Sequence, residues 1–108
     1  SGLWPKKLKA EEVRRSFSVG GLILKHIFDV YYVYILKLNN GKIYIGSTPD
    51  LKERLKEHER GESKYTKNYL PLKLVTYFCL SERLTARRFE DYLKTGSGRA
   101  FRKKHFGI

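Results

Sequence analysis

The chain has 108 residues, 41% hydrophobic and 14% aromatic, enough for one core and too apolar for a chain that stays unfolded. Lys and Arg number 23 against 11 Asp and Glu, and the formal charge of +12 favours polyanionic partners, nucleic acid ahead of an anionic membrane or an acidic protein. The single cysteine, Cys79, excludes an intramolecular disulfide and a Cys-rich zinc site; residues 19–24, an apolar run near the N-terminus, are too few to span a membrane, so a soluble cytoplasmic protein is expected.

Residues 1–29 mix Lys6, Lys7, Lys9, Arg14 and Arg15 with scattered apolar residues and a Gly20-Gly21 break. They read as a basic extension, partly disordered or left over from cloning, with a short helix over 10–17. The folded domain is expected over 30–108. Segment 30–38, VYYVYILKL, is rich in β-branched and aromatic residues and predicts a strand; Asn39-Asn40-Gly41 supplies a turn, and 42–47, KIYIGS, the returning strand. A three-residue turn sets Tyr44 opposite Leu36 and Gly46 opposite Tyr34, so that Tyr34 and Tyr44 lie diagonally on one face.

A helix follows, with Thr48 as its expected N-cap, Pro49 at its first position and Asp50 in its first turn, ending near Arg60 at Gly61. Residues 62–71 form a polar, basic loop. A third strand is expected over 72–79, a second helix from Ser81 to Gly96, and a short terminal helix capped by Ser97. The order is β-β-α-β-α-α, with no internal repeat.

Three residues break the apolar pattern of these helices. Leu51, Arg54, Leu55 and His58 fall at i, i+3, i+4 and i+7 and share one stripe, which sets a guanidinium and an imidazole on the face that should meet the core. Such an arginine must pair with a buried carboxylate or open onto a wet cleft, where its planar fork suits an anion. In the second helix Ala86, Phe89 and Leu93 form the apolar stripe, and Glu90 lies on or beside it. A lone carboxylate in a basic cleft holds one Mg²⁺ when water and phosphate complete the shell; the alternative is that Glu90 is simply the ion-pair partner of Arg54. Tyr34 and Tyr44 in turn read either as site residues or as amphipathic core tyrosines with satisfied hydroxyls. The loop Lys64-Tyr65-Thr66-Lys67 interleaves an aromatic with cations, as suits a nucleic-acid backbone or an exposed base. Arg99, in the stretch Gly96-Ser97-Gly98-Arg99, is a further candidate contact at a helix start, and Arg102, Lys103, Lys104 and His105 add charge without indicating specificity.

YVYIL over 32–36, YIG over 44–46, DLKERLKEH over 50–58 and the helical glutamate of RRFEDYLK over 87–94 together resemble the GIY-YIG endonucleases, in particular their small bacterial stand-alone members. The resemblance spans about residues 30–106 and lies in the joint spacing, ten residues from Tyr44 to Arg54 and four more to His58. It implies an α+β fold of the α/β kind, with a small three-stranded antiparallel sheet flanked by helices. Carried over residue by residue, it makes Tyr34, Tyr44, Arg54, His58 and Glu90 catalytic, Glu90 the carboxylate for one Mg²⁺ or Mn²⁺ ion, and Gly46 part of the nucleic-acid site beside Lys64, Tyr65, Lys67 and Arg99. The implied chemistry is hydrolysis of a DNA phosphodiester, with RNA left open. Tyr44 takes a proton from the attacking water and Arg54 steadies the phosphate. A free tyrosine, with a pKa of about 10, serves as a base at neutral pH only where cations favour the phenolate. Tyr32-Val33-Tyr34 replaces Gly-Ile-Tyr, and the late asparagine of some members has no counterpart here. The expected role is structure-dependent cutting in DNA repair or processing, with a protein partner supplying selectivity. The alternative is a non-catalytic nucleic-acid binding module on the same fold.

Overall fold

The computed structural model describes residues 30–108, so the extension over 1–29 and the helix expected at 10–17 lie outside the described residues. From Val30 onward the chain makes strand β1 (Tyr31–Lys37), strand β2 (Ile43–Thr48), helix α1 (Leu51–Glu59), a short 3-10 turn (Lys67–Tyr69), strand β3 (Lys73–Leu80), and helices α2 (Arg83–Leu93) and α3 (Gly96–Phe106). The fold is α+β, an antiparallel three-stranded sheet in the order β2-β1-β3. The hairpin takes the expected register: Tyr34 pairs with Gly46 and Leu36 with Tyr44. Gly41 closes its turn at φ +85°, a conformation that an L side chain would strain. Among the described residues no helix is long and apolar enough to cross a membrane.

Side chains of a strand alternate between faces, and here both faces are covered. Val33, Ile35 and Ile45 pack on one side against Ala86 and Leu93 of α2, with Phe89 of α2 and Phe101 of α3 around them. Tyr34 and Leu36 pack on the other side against Leu51 and Leu55 of α1. β1 is therefore buried on both faces, which explains its nearly continuous apolar run. Each fully buried leucine contributes about 2 kcal/mol from apolar burial alone.

Three helix starts differ from expectation. The N-cap of α1 is Asp50, whose side chain accepts the Glu53 amide at 3.1 Å; Thr48 sits two residues earlier and accepts the Asp50 amide at 3.1 Å. Both residues bind a backbone amide near the turn, and the shorter, charged Asp reaches the true helix end. α2 begins at Arg83 after Glu82, two residues past Ser81. Thr95 caps α3 in place of Ser97, accepting the Gly98 amide at 3.1 Å. The glycine that matters there is Gly98, where a Cβ would collide with the Tyr92 carbonyl oxygen and keep α3 from folding back so closely onto the end of α2.

Candidate active site

The α1 face of the sheet carries a buried polar chain. Tyr34 and His58 are 1% and 0% exposed. The Tyr34 hydroxyl lies 3.0 Å from His58 Nε2 and accepts Arg54 Nε at 3.4 Å, while His58 Nδ1 lies 2.8 Å from Thr66 Oγ1. The neutral imidazole donates at one nitrogen and accepts at the other, which leaves both satisfied. Burial, helped by the nearby Arg54 charge, pushes the His58 pKa down to about 4 against the opposing pull of Glu57. Burial likewise raises the Tyr34 pKa above the ordinary phenol value, although the Arg54 hydrogen bond works the other way. At neutral pH this pair is an uncharged imidazole and an intact phenol.

Arg54 stands at the open end of that chain, two-thirds buried. Partial burial works against its charge, but hydrogen bonds with Glu57 and with Tyr34 outweigh it, and the Tyr44 hydroxyl adds to them; the net effect is a raised pKa. Its Nη1 meets Glu57 Oε1 at 2.8 Å, so its ion pair is local, one helical turn on, and Glu90 is not its partner. Tyr44 packs its ring on those of Tyr34 (6.2 Å between centroids) and His58 (5.2 Å).

Glu90 comes from the other side of the sheet. Ser47, which shares the α2-facing parity of Ile43 and Ile45, donates its hydroxyl to Glu90 Oε1 at 2.6 Å, and Lys94 Nζ donates to Oε2 at 2.7 Å. The two halves meet at the free edge of β2, where an open cleft of about 550 Å³ is lined by Ile43, Tyr44, Ile45, Tyr65, Glu90, Lys94 and Arg102. Tyr44 belongs to both halves: it touches the Tyr34 and His58 rings and also lines the cleft with Glu90. Tyr34, Arg54 and His58 do not line that cleft, so the five expected site residues form two adjoining groups joined by Tyr44.

The expected site residues differ in exposure. Tyr34 and His58 are sealed from the surface; the Tyr34 hydroxyl meets Arg54, and both rings pack on Tyr44. Gly46 is buried as well, and a Cβ there would stand 2.5 Å from the Tyr34 hydroxyl; its place is under the Tyr34 ring rather than on the exposed surface that nucleic acid would meet. Lys64, Tyr65 and Lys67 are exposed, with Tyr65 reaching the cleft; Arg99 is exposed in the first turn of α3, outside the cleft. Arg102, read from the sequence only as added charge, is 9% exposed, donates Nε to the Leu93 carbonyl at 3.1 Å and lines the cleft. Ser47, Thr66 and Lys94 were missed too; for Lys94 the i+4 spacing from Glu90 would have sufficed.

The family model described as the GIY-YIG catalytic domain matches residues 30–104. The chain belongs to the GIY-YIG family. Similar proteins include a UPF0213 protein of Haloquadratum walsbyi, 37% identical over 62% of this chain and 76% of that one, and a UPF0213 protein of Bacillus licheniformis, 38% identical over 59% and 67%. The solution structure of a UPF0213 protein from Bacillus halodurans covers 72% of this chain and 87% of its own at 30% identity, with a TM-score of 0.48.

For the divalent cation that this family implies, no cage of three or more His, Cys, Asp or Glu side chains exists among the described residues. Glu90 at the rim of an open cleft fits a different kind of site, one carboxylate with water and phosphate oxygens completing the shell, as suits Mg²⁺. The Lys94 side chain, 50% exposed, is free to turn away from it.

Proposed function

We propose that this GIY-YIG domain is an endonuclease that hydrolyses DNA phosphodiester bonds with one Mg²⁺ or Mn²⁺ ion, using Tyr44, Arg54 and Glu90. The observation that carries this reading is the double membership of Tyr44. One partly exposed phenol joins a fixed guanidinium on one side to a carboxylate in an open cleft on the other, the spread of groups that an in-line attack on phosphorus requires.

The two tyrosines differ in their fitness as a base. Tyr34 is buried, with its pKa raised, and keeps its proton. Tyr44 is partly exposed, lines the cleft and meets the Arg54 guanidinium, so it is the tyrosine placed to act once its own proton has left to solvent: its phenolate takes the proton of the attacking water. Arg54, preoriented by Tyr34 and Glu57, steadies the negative charge that builds on the phosphate oxygens. Glu90 would hold the cation, with Ser47 fixing its other oxygen; a bound cation supplies Lewis acidity at the leaving oxygen. His58 keeps Tyr34 aligned and, being neutral, adds no charge that would compete with Arg54 for the phosphate. DNA structure, or a partner protein, supplies selectivity in repair or processing.

Incubation with nicked, branched and linear DNA in Mg²⁺ or Mn²⁺ tests this. Cleavage is expected to fall at least about a hundredfold in Tyr44→Phe and in Glu90→Gln, with DNA binding retained. Undiminished cleavage in both variants would remove the assigned roles. One observation favours a second reading, a non-catalytic DNA-binding module: Glu90 is already engaged by Lys94 and Ser47. Salt-sensitive DNA binding by the wild type, with no cleavage of any of the three substrates, would decide for it.

A further inference from the structure

α2 carries more than Glu90 along the edge of β2. Arg83, Arg87, Glu90 and Lys94 are spaced 4, 3 and 4 residues apart and therefore form one straight row on the helix, bordering its buried face. Glu90 lies inside the row, with two arginines toward the helix N-terminus and a lysine toward its C-terminus.

A hollow lies on either side of the Ser47–Glu90 contact. The cleft of about 550 Å³ holds Lys94 and Arg102 together with Tyr65, which is 72% exposed. A second hollow of about 210 Å³ is lined by Thr48, Pro49, Arg83 and Arg87, and by Ser47 itself. Ser47 thus stands at the junction, its hydroxyl on Glu90 and its residue in the wall of the smaller hollow.

The arginines of the smaller hollow differ from the cations that are paired on the helices. Arg54 is paired with Glu57, Arg60 with Glu53 and Glu62, and Lys94 with Glu90. Arg83 and Arg87 are exposed and have no acidic partner among the described residues. At i, i+4 they also repel one another, an arrangement that folding alone disfavours and that a bound anion relieves. The row from Arg83 to Lys94 is about 16 Å long at 1.5 Å per residue, about five nucleotide steps of one DNA strand at 3.4 Å each.

We propose that the DNA backbone lies along this edge of α2, with the phosphate to be cut at Glu90, neighbouring phosphates on one side gripped by Arg83 and Arg87, and those on the other by Lys94 and Arg102. This rests on the nuclease reading for the place of the cut phosphate, whereas the track itself is a binding surface that operates without cleavage. Lys94 then has two states: on Glu90 in the free protein, and on a phosphate when DNA and the cation arrive. Arg102 is held rigid by its bond to the Leu93 carbonyl and anchors the far end of the track.

The test is DNA binding followed by fluorescence anisotropy in EDTA, where no cutting occurs, over a series of salt concentrations with a short duplex. The double variant Arg83→Gln with Arg87→Gln is expected to lower the slope of log K against log[salt] by about two, and to weaken binding roughly fiftyfold at 100 mM salt, because two phosphates no longer meet an arginine. Lys94→Gln is expected to lower the slope by about one. The control is Lys52→Gln with Lys56→Gln, which removes equal charge from exposed positions on α1; its slope is expected to stay at the wild-type value. Melting curves show that each variant folds. Equal losses of affinity from the α1 and α2 pairs, or no loss from Arg83 and Arg87, would overturn the track. Loss of binding in the α2 pair with no cleavage by the wild type in Mn²⁺ would leave the track standing and remove the nuclease reading alone.

Discussion

The two faces of the sheet solve opposite problems. On the α1 face, Thr66, His58, Tyr34 and Arg54 form a buried polar chain in which every hydroxyl and ring nitrogen has a partner, and Arg54 at its end is held by Glu57 as well. On the α2 face, Glu90, Lys94, Arg83 and Arg87 sit at the rim of open hollows, the two arginines without an acidic partner among the described residues. The closed half is organised before any ligand arrives, and the open half can rearrange around one. A site that must steady a developing charge gains from the first kind of order, because oriented donors need no reorganisation during reaction. A site that must admit a cation and a long polyanion gains from the second.

The largest expected effect comes from removing the exposed end of the closed half. Arg54→Ala is expected to lower the rate of DNA cleavage by about 10³-fold, with Arg54→Lys recovering only part of it, since an ammonium cannot reproduce the fork held by Tyr34 and Glu57. Single-turnover rates on a nicked duplex read this directly. Full recovery by lysine would show that charge alone, without the closed half's geometry, is what the site needs.

Next comes the acid sensitivity of the closed half. The folded His58 pKa of about 4 lies below the ordinary imidazole value of about 6.5, so the unfolded chain binds the proton more readily. Stability contributed by the neutral ring is therefore complete above about pH 6.5 and is lost progressively as the pH falls toward 4, about 3 kcal/mol in all. Urea unfolding at a series of pH values from 7 to 4 should show that loss, and His58→Gln should flatten it over the same window. A wild-type curve flat between pH 6.5 and 4 would mean that the imidazole is not sealed as described.

Much of this division is written in the chain, and some of it is not. The hairpin register followed from the three-residue turn and the period of two, so the pairing of Tyr34 with Gly46 was legible in the chain itself. Arg54 and His58 stood out because charge on an apolar stripe is anomalous wherever the stripe leads. What stayed hidden was which face each helix covers. A strand buried on both sides shows a continuous apolar run, and nothing in that run assigns α1 to the even residues and α2 to the odd ones. For the same reason the grouping of Tyr34, Tyr44, Arg54, His58 and Glu90 gave no sign that Glu90 stands on the other side of the sheet and shares a cleft with Tyr44 at the β2 edge. Caps were misplaced by about two residues, because Thr48 and Asp50, like Thr95 and Ser97, both carry a side-chain acceptor near the helix start.

Gly46→Ala sharpens the boundary between the halves. The backbone there is ordinary strand, so the added methyl strains no dihedral; it meets the Tyr34 hydroxyl and ring, 2.5 and 2.7 Å away, and one of them must move. A cost of about 1–3 kcal/mol is expected in urea unfolding. Because the displaced hydroxyl is the one shared by His58 and Arg54, cleavage should fall further than the stability loss accounts for, at a temperature where the variant is fully folded. A loss of stability with an unchanged single-turnover rate would separate the buried chain from the chemistry.

The smallest effect belongs to the open half. The Lys94–Glu90 pair is an i,i+4 contact with Lys94 half exposed, and such pairs contribute about 0.3–0.5 kcal/mol. Lys94→Met should therefore leave thermal stability nearly unchanged while freeing one Glu90 oxygen. Calorimetric titration with Mn²⁺ in the absence of DNA should then show affinity about twofold tighter than wild type, the ratio that the weak pair permits. With DNA present the same substitution takes a cation away from a phosphate, so substrate binding should weaken as metal binding tightens. That opposition distinguishes a lysine that trades one anion for another from one that merely stabilises the helix, which would move neither titration.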